Sequence, residues 1–262
     1  MTMIYLDDLR LNAVVEGPTN GAPLVLIHAL GTDLTIWDQV IPLLPKGLRI
    51  LRYDQRGHGA SDVPAAPYTM GALIRDAERL IDHVSMKDAV VVGVSLGGLV
   101  TQGLATKRLD QVRAMVLSNT AAKIGNPEMW QTRIEEMRVK GADAYVDGAM
   151  ERIFGRKFRE IPQMQIARRL LLQMNIEGWA GCATAIAGTD FYTTTAALTL
   201  PTLVIAGTND GSTPPDLVRE TAELIRGHRY ALMRGTGHLP MLDKPAEFSA
   251  LLTGFLQDIG HI

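Results

Sequence analysis

Short apolar runs recur along the chain, and each is bounded by glycine, proline or polar residues. They lie at residues 24–29, 50–53, 89–94, 114–117, 203–206 and 230–233. Continuous apolar runs of this length are typical of parallel strands that are buried on both faces. Ahead of them, residues 3–15 alternate in polarity around Asp7 and Asp8, which predicts an opening hairpin.

Helical patterns separate most of these runs. Leu73, Ala77 and Leu80 form an apolar stripe within residues 70–83, and the other predicted helices cover 96–105, 217–225 and 246–256. Strands that alternate with helices are characteristic of a doubly wound, mostly parallel sheet. The sequence therefore predicts the α/β class.

One long segment, residues 124–197, departs from this alternation. It contains no convincing strand, and its helix-like stretches lie at 128–140, 142–153, 162–175 and 177–187. We interpret the segment as a helical cap, or lid, inserted into a core domain formed by residues 1–123 and 198–262. Open α/β sheets bind ligands at the carboxyl ends of their strands, and the cap is expected to cover a site there.

Composition narrows the class of protein. The 262 residues carry a formal net charge of −2, which gives no electrostatic basis for binding nucleic acid or an anionic membrane. The single cysteine, Cys182, excludes a disulfide within the chain and a cysteine metal cluster, and we expect it to be buried. The first ten residues lack an apolar signal core and no run is long enough to span a bilayer, so a cytoplasmic location is expected.

A nucleophile motif follows the third apolar run. The stretch Gly93-Val94-Ser95-Leu96-Gly97 has the pattern G-x-S-x-G, directly between a predicted strand and a predicted helix. This strand–turn–helix context is the one in which the motif presents a reactive serine above a sheet. The free N–H groups at the start of the helix would also favour developing negative charge. Ser95 is therefore the candidate nucleophile.

A serine hydroxyl needs a general base, and the base needs an orienting acid. Of six histidines, His238 lies in a glycine-containing loop after the last apolar run, and Asp210 follows the run at 203–206. The order Ser95, Asp210, His238 is the order that this type of fold uses. These three residues form the predicted catalytic triad.

An oxyanion hole requires two backbone N–H donors. Leu96 should supply one, and Ala29 or Leu30, in the loop after the first long apolar run, should supply the other. We interpret His28 as a residue that shapes this loop. The polar stretch at residues 52–61 is interpreted as structural, with its charges paired near the end of the sheet.

Beyond these shared motifs, the whole chain resembles the 3-oxoadipate enol-lactonase family of α/β-hydrolases. In the core, the resemblance rests on RYDQRGHG at 52–59, VSLGG at 94–98 and LSNTAAKIG at 117–125. In the cap, it rests on Trp130-x-x-Arg133-Ile134, MERIF at 150–154 and EGWAGCA at 177–183. Ala29 departs from the glycine expected there, and the C-terminal third matches only generally.

The resemblance implies hydrolysis of 3-oxoadipate enol-lactone to 3-oxoadipate in bacterial aromatic degradation, through an acyl-enzyme. Because that substrate carries a carboxylate, the cap should offer a cation. Trp130 and Arg133 are three residues apart and share a helix face, so we expect Arg133 to bind the carboxylate and Trp130 to wall the pocket. The expected partner is thus a small lactone, with no nucleic acid and no membrane. No metal or organic cofactor is indicated.

Two other functions remain open at this point. A carboxylesterase or cofactor-free perhydrolase would share the entire triad, and a small-molecule receptor could use the same fold without turnover. Haloalkane dehalogenases and epoxide hydrolases are disfavoured, because they carry aspartate where this chain has Ser95. The oligomeric state, including a homo-oligomer, is also left open.

Overall fold

The computed structural model of the protein describes residues 2–154 and 162–262. Residue 1 of the predicted core range and residues 155–161 of the predicted cap range lie outside the described residues. Within the described chain, eight strands form one sheet in the order β1-β2-β4-β3-β5-β6-β7-β8. The strands are β1 (Thr2–Leu6), β2 (Leu9–Glu16), β3 (Ala22–Ile27), β4 (Leu48–Tyr53), β5 (Ala89–Val94), β6 (Val112–Ser118), β7 (Thr202–Gly207) and β8 (Arg229–Met233).

Strand direction follows the pattern expected from the sequence. The pairs β1–β2 and β2–β4 are antiparallel, with Ile4 opposite Leu11 in the opening hairpin. All the remaining pairs, from β4–β3 through to β7–β8, are parallel. The α/β class with a mostly parallel sheet is therefore confirmed.

Helices follow most of the parallel strands. Those in the described chain are α1 (Met70–His83), α2 (Leu96–Lys107), α3 (Pro127–Ile153), α4 (Pro162–Gln173), α5 (Ile176–Ala187), α6 (Tyr192–Ala196), α7 (Pro215–Leu224), α8 (Pro240–Asp243) and α9 (Pro245–Asp258). Within α3, Gly141 has φ 77° and kinks the helix between the two stretches predicted separately at 128–140 and 142–153. Only a residue without a Cβ adopts that φ at little cost. α4 ends two residues earlier than predicted, because Asn175 caps α5 by accepting a hydrogen bond from the N–H of Gly178.

The apolar side chains of the sheet are buried on both faces. In β5, Val91 packs in one core cluster with Leu80 of α1 and Leu99 of α2. Its neighbour Val90 packs in the other cluster, which contains Phe248 of α9. Successive strand residues point to opposite faces, so a run that is apolar throughout requires helices on both sides of the sheet.

Helices α3–α6 all lie between β6 and β7 in the chain, where the sequence predicted a helical insertion. Trp130 of α3 and Trp179 of α5 belong to the same core cluster as Leu99 of α2. The division into a core and a cap domain at residues 123/124 and 197/198 stays a prediction. Among the described residues, no helix combines the length and the apolar character needed to cross a membrane.

Candidate active site

Ser95 occupies a sharp turn between β5 and α2. Its φ of 55° and ψ of −116° lie in a region that residues with side chains rarely adopt. The glycines on either side make the turn feasible, because a Cβ on Gly93 would lie 2.1 Å from the carbonyl oxygen of Gly97. A Cβ on Gly97 would in turn lie 2.4 Å from the carbonyl oxygen of Ile27 in β3. The close approach of three backbone segments therefore requires the G-x-S-x-G pattern.

The other predicted residues follow neighbouring parallel strands. Ala29 and Leu30 come after β3, Asp210 after β7 and His238 after β8. Because β3, β5, β6, β7 and β8 are parallel and adjacent, their carboxyl ends share one edge of the sheet. The chain thus brings residues from distant parts of the sequence to one place.

Asp210 and His238 form a buried hydrogen-bonded pair. The Nδ1 atom of His238 lies 2.8 Å from Oδ2 of Asp210, and both residues are largely buried. A carboxylate only accepts hydrogen bonds, so Nδ1 carries the proton and donates it. When the ring is neutral, its lone pair is therefore on Nε2, which is the atom a general base needs.

The carboxylate of Asp210 receives several further hydrogen bonds. Oδ1 accepts from the backbone N–H groups of Ser212 at 2.7 Å and Thr213 at 3.0 Å. Oδ2 accepts from the Thr213 hydroxyl at 2.7 Å. Burial by itself raises the pKa of Asp210, but several interactions outweigh burial and leave the pKa below its ordinary value. The largest is the interaction with His238, followed by the hydrogen bonds from the Asn119 amide and the Thr213 N–H. The acid is therefore held in its charged form.

Asn119, directly after β6, connects the acid to the loop of the base. Its Nδ2 group donates to Oδ2 of Asp210 at 2.9 Å and to the carbonyl oxygen of Gly237 at 3.0 Å. The sequence analysis did not single out this residue. Its position at the end of a parallel strand is the signal that could have identified it.

A second carboxyl group supports the same loop. Oδ2 of Asp243 accepts a hydrogen bond of 2.6 Å from the N–H of Gly237, the residue before His238. Burial, together with the charge of Asp210, raises the pKa of Asp243 to about 7 against the opposing effect of that hydrogen bond. The backbone of Gly237 is thus held at its N–H by Asp243 and at its carbonyl oxygen by Asn119.

Two buried histidines fix the loop after β3. The N–H of Gly31 donates to Nε2 of His58, and the N–H of Gln55 donates to Nε2 of His28, each at 2.9 Å. Both rings are therefore neutral, and burial lowers the pKa of His28 to about 4 and that of His58 to about 3. The role predicted for His28 as a loop-shaping residue agrees with these bonds, and His58 adds a contact that the sequence did not reveal.

The same bonds decide which N–H groups remain available. The N–H of Gly31 is engaged by His58. In the described part of the chain, the N–H groups of Ala29, Leu30 and Leu96 donate to no protein acceptor. The N–H of Leu96 and those of both alternatives for the second donor, Ala29 and Leu30, are thus available for an oxyanion hole.

One cavity unites the candidate nucleophile, the candidate base and the predicted substrate-binding residues. Ser95, His238, Leu30, Trp130 and Arg133 all line it. The other lining residues are Ile124, Tyr145, Ala149, Arg152, Ile153, Leu171, Ser212 and Thr213. Asp210 lies behind His238 rather than in the cavity wall, as expected for a residue that orients the base.

The chain was compared with known proteins once this geometry had been established. Residues 22–245 match the family described as having the alpha/beta hydrolase fold. The chain belongs to the α/β-hydrolase family.

Within that family, this hydrolase is similar to proteins that open enol-lactones. It is 35% identical over 206 residues to 3-oxoadipate enol-lactonase 2 of Acinetobacter baylyi, covering 78% of this chain and 77% of that protein. The crystal structure of the enol-lactonase from Burkholderia xenovorans LB400 superposes with a TM-score of 0.94 and 32% identity, covering 98% of this chain and all of that one. The resemblance predicted from the sequence is therefore confirmed.

A further solved structure is more distant. The thermophilic esterase from Thermogutta terrifontis, determined with malate bound, has a TM-score of 0.89 at 28% identity and covers 96% of this chain and 94% of its own. Esterases and enol-lactonases thus share this architecture. The choice between their substrates depends on the residues above the nucleophile.

Helix α3 of this α/β-hydrolase contributes two residues to the cavity wall that the sequence analysis missed. Tyr145 and Arg152 line the cavity from the second half of α3, beyond the kink at Gly141. The carbonyl oxygens of the same helical turn accept hydrogen bonds from the core, from the N–H of Gly211 to Arg152 at 2.9 Å and from the N–H of His238 to Ile153 at 2.6 Å. The end of α3 therefore contacts the loops of both the acid and the base.

Two further residues with ionisable side chains, Arg56 and Cys182, have structural positions. Arg56 forms an ion pair with the buried carboxylate of Asp76, in agreement with the structural role predicted for residues 52–61. Cys182 is fully buried, as expected, and burial raises the pKa of its thiol. Across residues 2–154 and 162–262, no three His, Cys, Asp or Glu side chains are grouped so as to hold a metal ion.

Proposed function

We propose that this protein hydrolyses a carboxylated enol-lactone of the 3-oxoadipate type to the open-chain keto acid, in the bacterial degradation of aromatic compounds. The observation that carries the proposal is the shared cavity, in which Ser95 and His238 face a cap arginine, Arg133. The similarity to 3-oxoadipate enol-lactonases supports the choice of substrate.

The triad performs the first half of the reaction. His238 Nε2 takes the proton of Ser95 Oγ as that oxygen attacks the lactone carbonyl, and Asp210 stabilises the resulting imidazolium. The N–H of Leu96 and that of Ala29 or Leu30 stabilise the oxyanion. Cleavage of the ring C–O bond forms the acyl-enzyme. The released enolate takes the proton from the His238 imidazolium and becomes the ketone, which leaves His238 neutral for the second half of the reaction.

Water completes the cycle. His238 removes a proton from a water molecule, which attacks the acyl carbonyl and produces a second tetrahedral intermediate. Collapse of this intermediate returns the proton to Ser95 and releases a new carboxylate. No group other than the triad and the backbone donors is needed for these steps.

Arg133 is suited to bind the carboxylate that the lactone already carries. Its guanidinium lies 5.1 Å from the centre of the Trp130 ring, which restricts its orientation. Trp130 is itself fixed, because its Nε1–H donates to the carbonyl oxygen of Ile124 at 2.7 Å. Binding here would hold the lactone in the cavity that Ser95 also lines.

The test is the turnover of purified 3-oxoadipate enol-lactone, followed by the loss of its ultraviolet absorbance. We expect turnover by the wild type and none above background by Ser95→Ala. Hydrolysis of simple esters without lactone turnover would instead favour a carboxylesterase. Tight lactone binding without any turnover would favour a receptor.

Arg133→Ala tests the carboxylate site within the same assay. It should raise KM for the lactone roughly tenfold or more, and much less for an uncharged ester, because a charge-assisted hydrogen bond is lost. Arg138→Ala is the matched control, since Arg138 is on the same helix but pairs with Glu177 at the surface. Equal increases in KM for both substrates would refute this role for Arg133.

A further inference from the structure

The cavity contains a second guanidinium, that of Arg152. This residue lies on the last turn of α3, and its guanidinium is 5.4 Å from the centre of the Tyr145 ring. Arg133 and Arg152 thus enter the cavity from the two halves of one kinked helix, each beside an aromatic ring. A lactone with a single carboxylate gives only one of them a partner.

Neither guanidinium is neutralised by the protein. Among the described residues, Arg133 and Arg152 form no ion pair, whereas Arg138 of the same helix pairs with Glu177. Burial lowers the pKa of Arg133, and the positive charge of Arg152 lowers it further. Two like charges that are partly withdrawn from water are unfavourable unless a ligand compensates them.

The catalytic groups do not supply this compensation. The Asp210 carboxylate is engaged by His238, Asn119 and Thr213, and it does not line the cavity. Apart from His238 and Tyr145, the two arginines are therefore the ionisable side chains among the described residues that line the cavity. A ligand with two negative groups, in addition to the carbonyl under attack, would balance them.

We infer that the cavity also accepts dianionic substrates, namely lactones or esters that carry two carboxylates besides the acyl group that Ser95 attacks. Arg133 binds one carboxylate and Arg152 the other. The inference rests on the proposed function, because it takes Ser95 as the nucleophile and Arg133 as a carboxylate ligand. Arg152 is thereby the residue that selects substrates with a second carboxylate.

A series of p-nitrophenyl esters tests the inference. The acyl groups are pentanoyl, glutaryl and tricarballylyl, which carry zero, one and two free carboxylates on chains of equal length. The measured quantity is kcat/KM for each ester with wild type, Arg152→Ala, Arg152→Lys and Arg168→Ala. Arg168 is the control, because it is a cap arginine paired with Asp147 and does not line the cavity.

The wild type should prefer the tricarballylyl ester to the glutaryl ester. Arg152→Ala should lower that preference roughly tenfold or more, since one charge-assisted contact is lost. Arg152→Lys should retain part of the preference, and Arg168→Ala should retain all of it. The preference is a ratio within one variant, so a partly misfolded preparation does not change it.

Two results would overturn the inference. If Arg152→Ala lowered kcat/KM by the same factor for all three esters, Arg152 would have only a structural role. If Arg152→Ala lowered kcat/KM by the same factor for the glutaryl and tricarballylyl esters, but not for the pentanoyl ester, both arginines would bind a single carboxylate. Failure of the proposed function is separate, because it would appear as absent lactone turnover by a wild type that still hydrolyses the esters.

Discussion

Side chains around His238 hold its loop through several hydrogen bonds. Gly237 is held by two hydrogen bonds: its N–H donates to Asp243, and its carbonyl oxygen accepts from Asn119. Asn119 also donates to Asp210, so one amide group connects the acid with the loop that carries the base. The relative position of Asp210 and His238 therefore depends on a residue that takes no part in the chemistry.

Replacing Asn119 by leucine should reveal this positioning role. The change leaves the Gly237 carbonyl without a donor and removes one donor from Asp210, and kcat should fall between about tenfold and 100-fold because the base is misplaced. Asp210 also becomes harder to ionise, because the Asn119 amide is one of the groups that lower its pKa. Steady-state kinetics measure the fall in kcat.

The matched control for this variant is Asn209→Leu. Asn209 is exposed and lies immediately before Asp210, so the same substitution there changes the loop without removing the buried amide. An equal fall in kcat for Asn209→Leu would contradict the positioning role of Asn119.

Asp243 predicts a pH dependence of folding stability. Its pKa rises from 3.8 to about 7 on folding, so the folded protein retains a proton that the unfolded chain releases. The free energy of unfolding should therefore decrease as the pH rises from about 4 to about 7, and should then level off.

Asp243→Asn should remove this contribution while keeping an oxygen that can accept from the N–H of Gly237. Urea unfolding at pH 5 and pH 8 measures the effect. Between these pH values the wild type should lose on the order of 2 kcal/mol relative to the variant. A difference that does not depend on pH would contradict the account of Asp243.

At the scale of elements, the end of α3 is fitted closely against the catalytic loops. The N–H groups of Gly211 and His238 donate to carbonyl oxygens of its last turn. A Cβ on Gly237 would lie 2.0 Å from the carbonyl oxygen of Ile153, so this loop has room only for glycine. The same helix carries Arg133 and Arg152, which connects the proposed substrate contacts physically with the base.

Gly237→Ala should therefore separate α3 from the loop of His238. We expect it to destabilise the fold by about 1–3 kcal/mol through overpacking, and to lower kcat more than it raises KM. Thermal unfolding and steady-state kinetics measure the two effects.

Gly254→Ala on α9 is the control, because no atom lies within 4 Å of the added Cβ. It should stabilise the protein by about 0.5–1 kcal/mol through helix propensity and leave kcat unchanged. If Gly237→Ala behaved in the same way, the close fit between α3 and the loop would be of no consequence.

At the scale of the whole molecule, local sequence was enough to predict the sheet and to nominate the site residues. Ser95 could be nominated because its motif, its strand and its helix are contiguous. Asp210 and His238 could be nominated because each follows an apolar run in the order that this fold uses. The sheet followed from runs such as 89–94, whose burial on both faces leaves a clear pattern.

The parts that the sequence did not predict depend on contacts between distant segments. Asn119 and Asp243 are ordinary polar residues until β6, β7 and β8 bring them to the loop of His238. Arg152 was missed because the kink at Gly141 changes the direction of α3, so the face that contains Arg133 does not indicate where Arg152 points. Helical periodicity holds only within each half.

The central claim is that Ser95 opens a lactone by forming an acyl-enzyme, and rapid-quench intact-mass measurement with the enol-lactone tests it most directly. Ring opening releases no fragment, so the wild type should gain the full mass of the lactone on Ser95 during turnover. Ser95→Ala should gain none. An unmodified wild type during active turnover, or an adduct of equal yield on Ser95→Ala, would contradict the account.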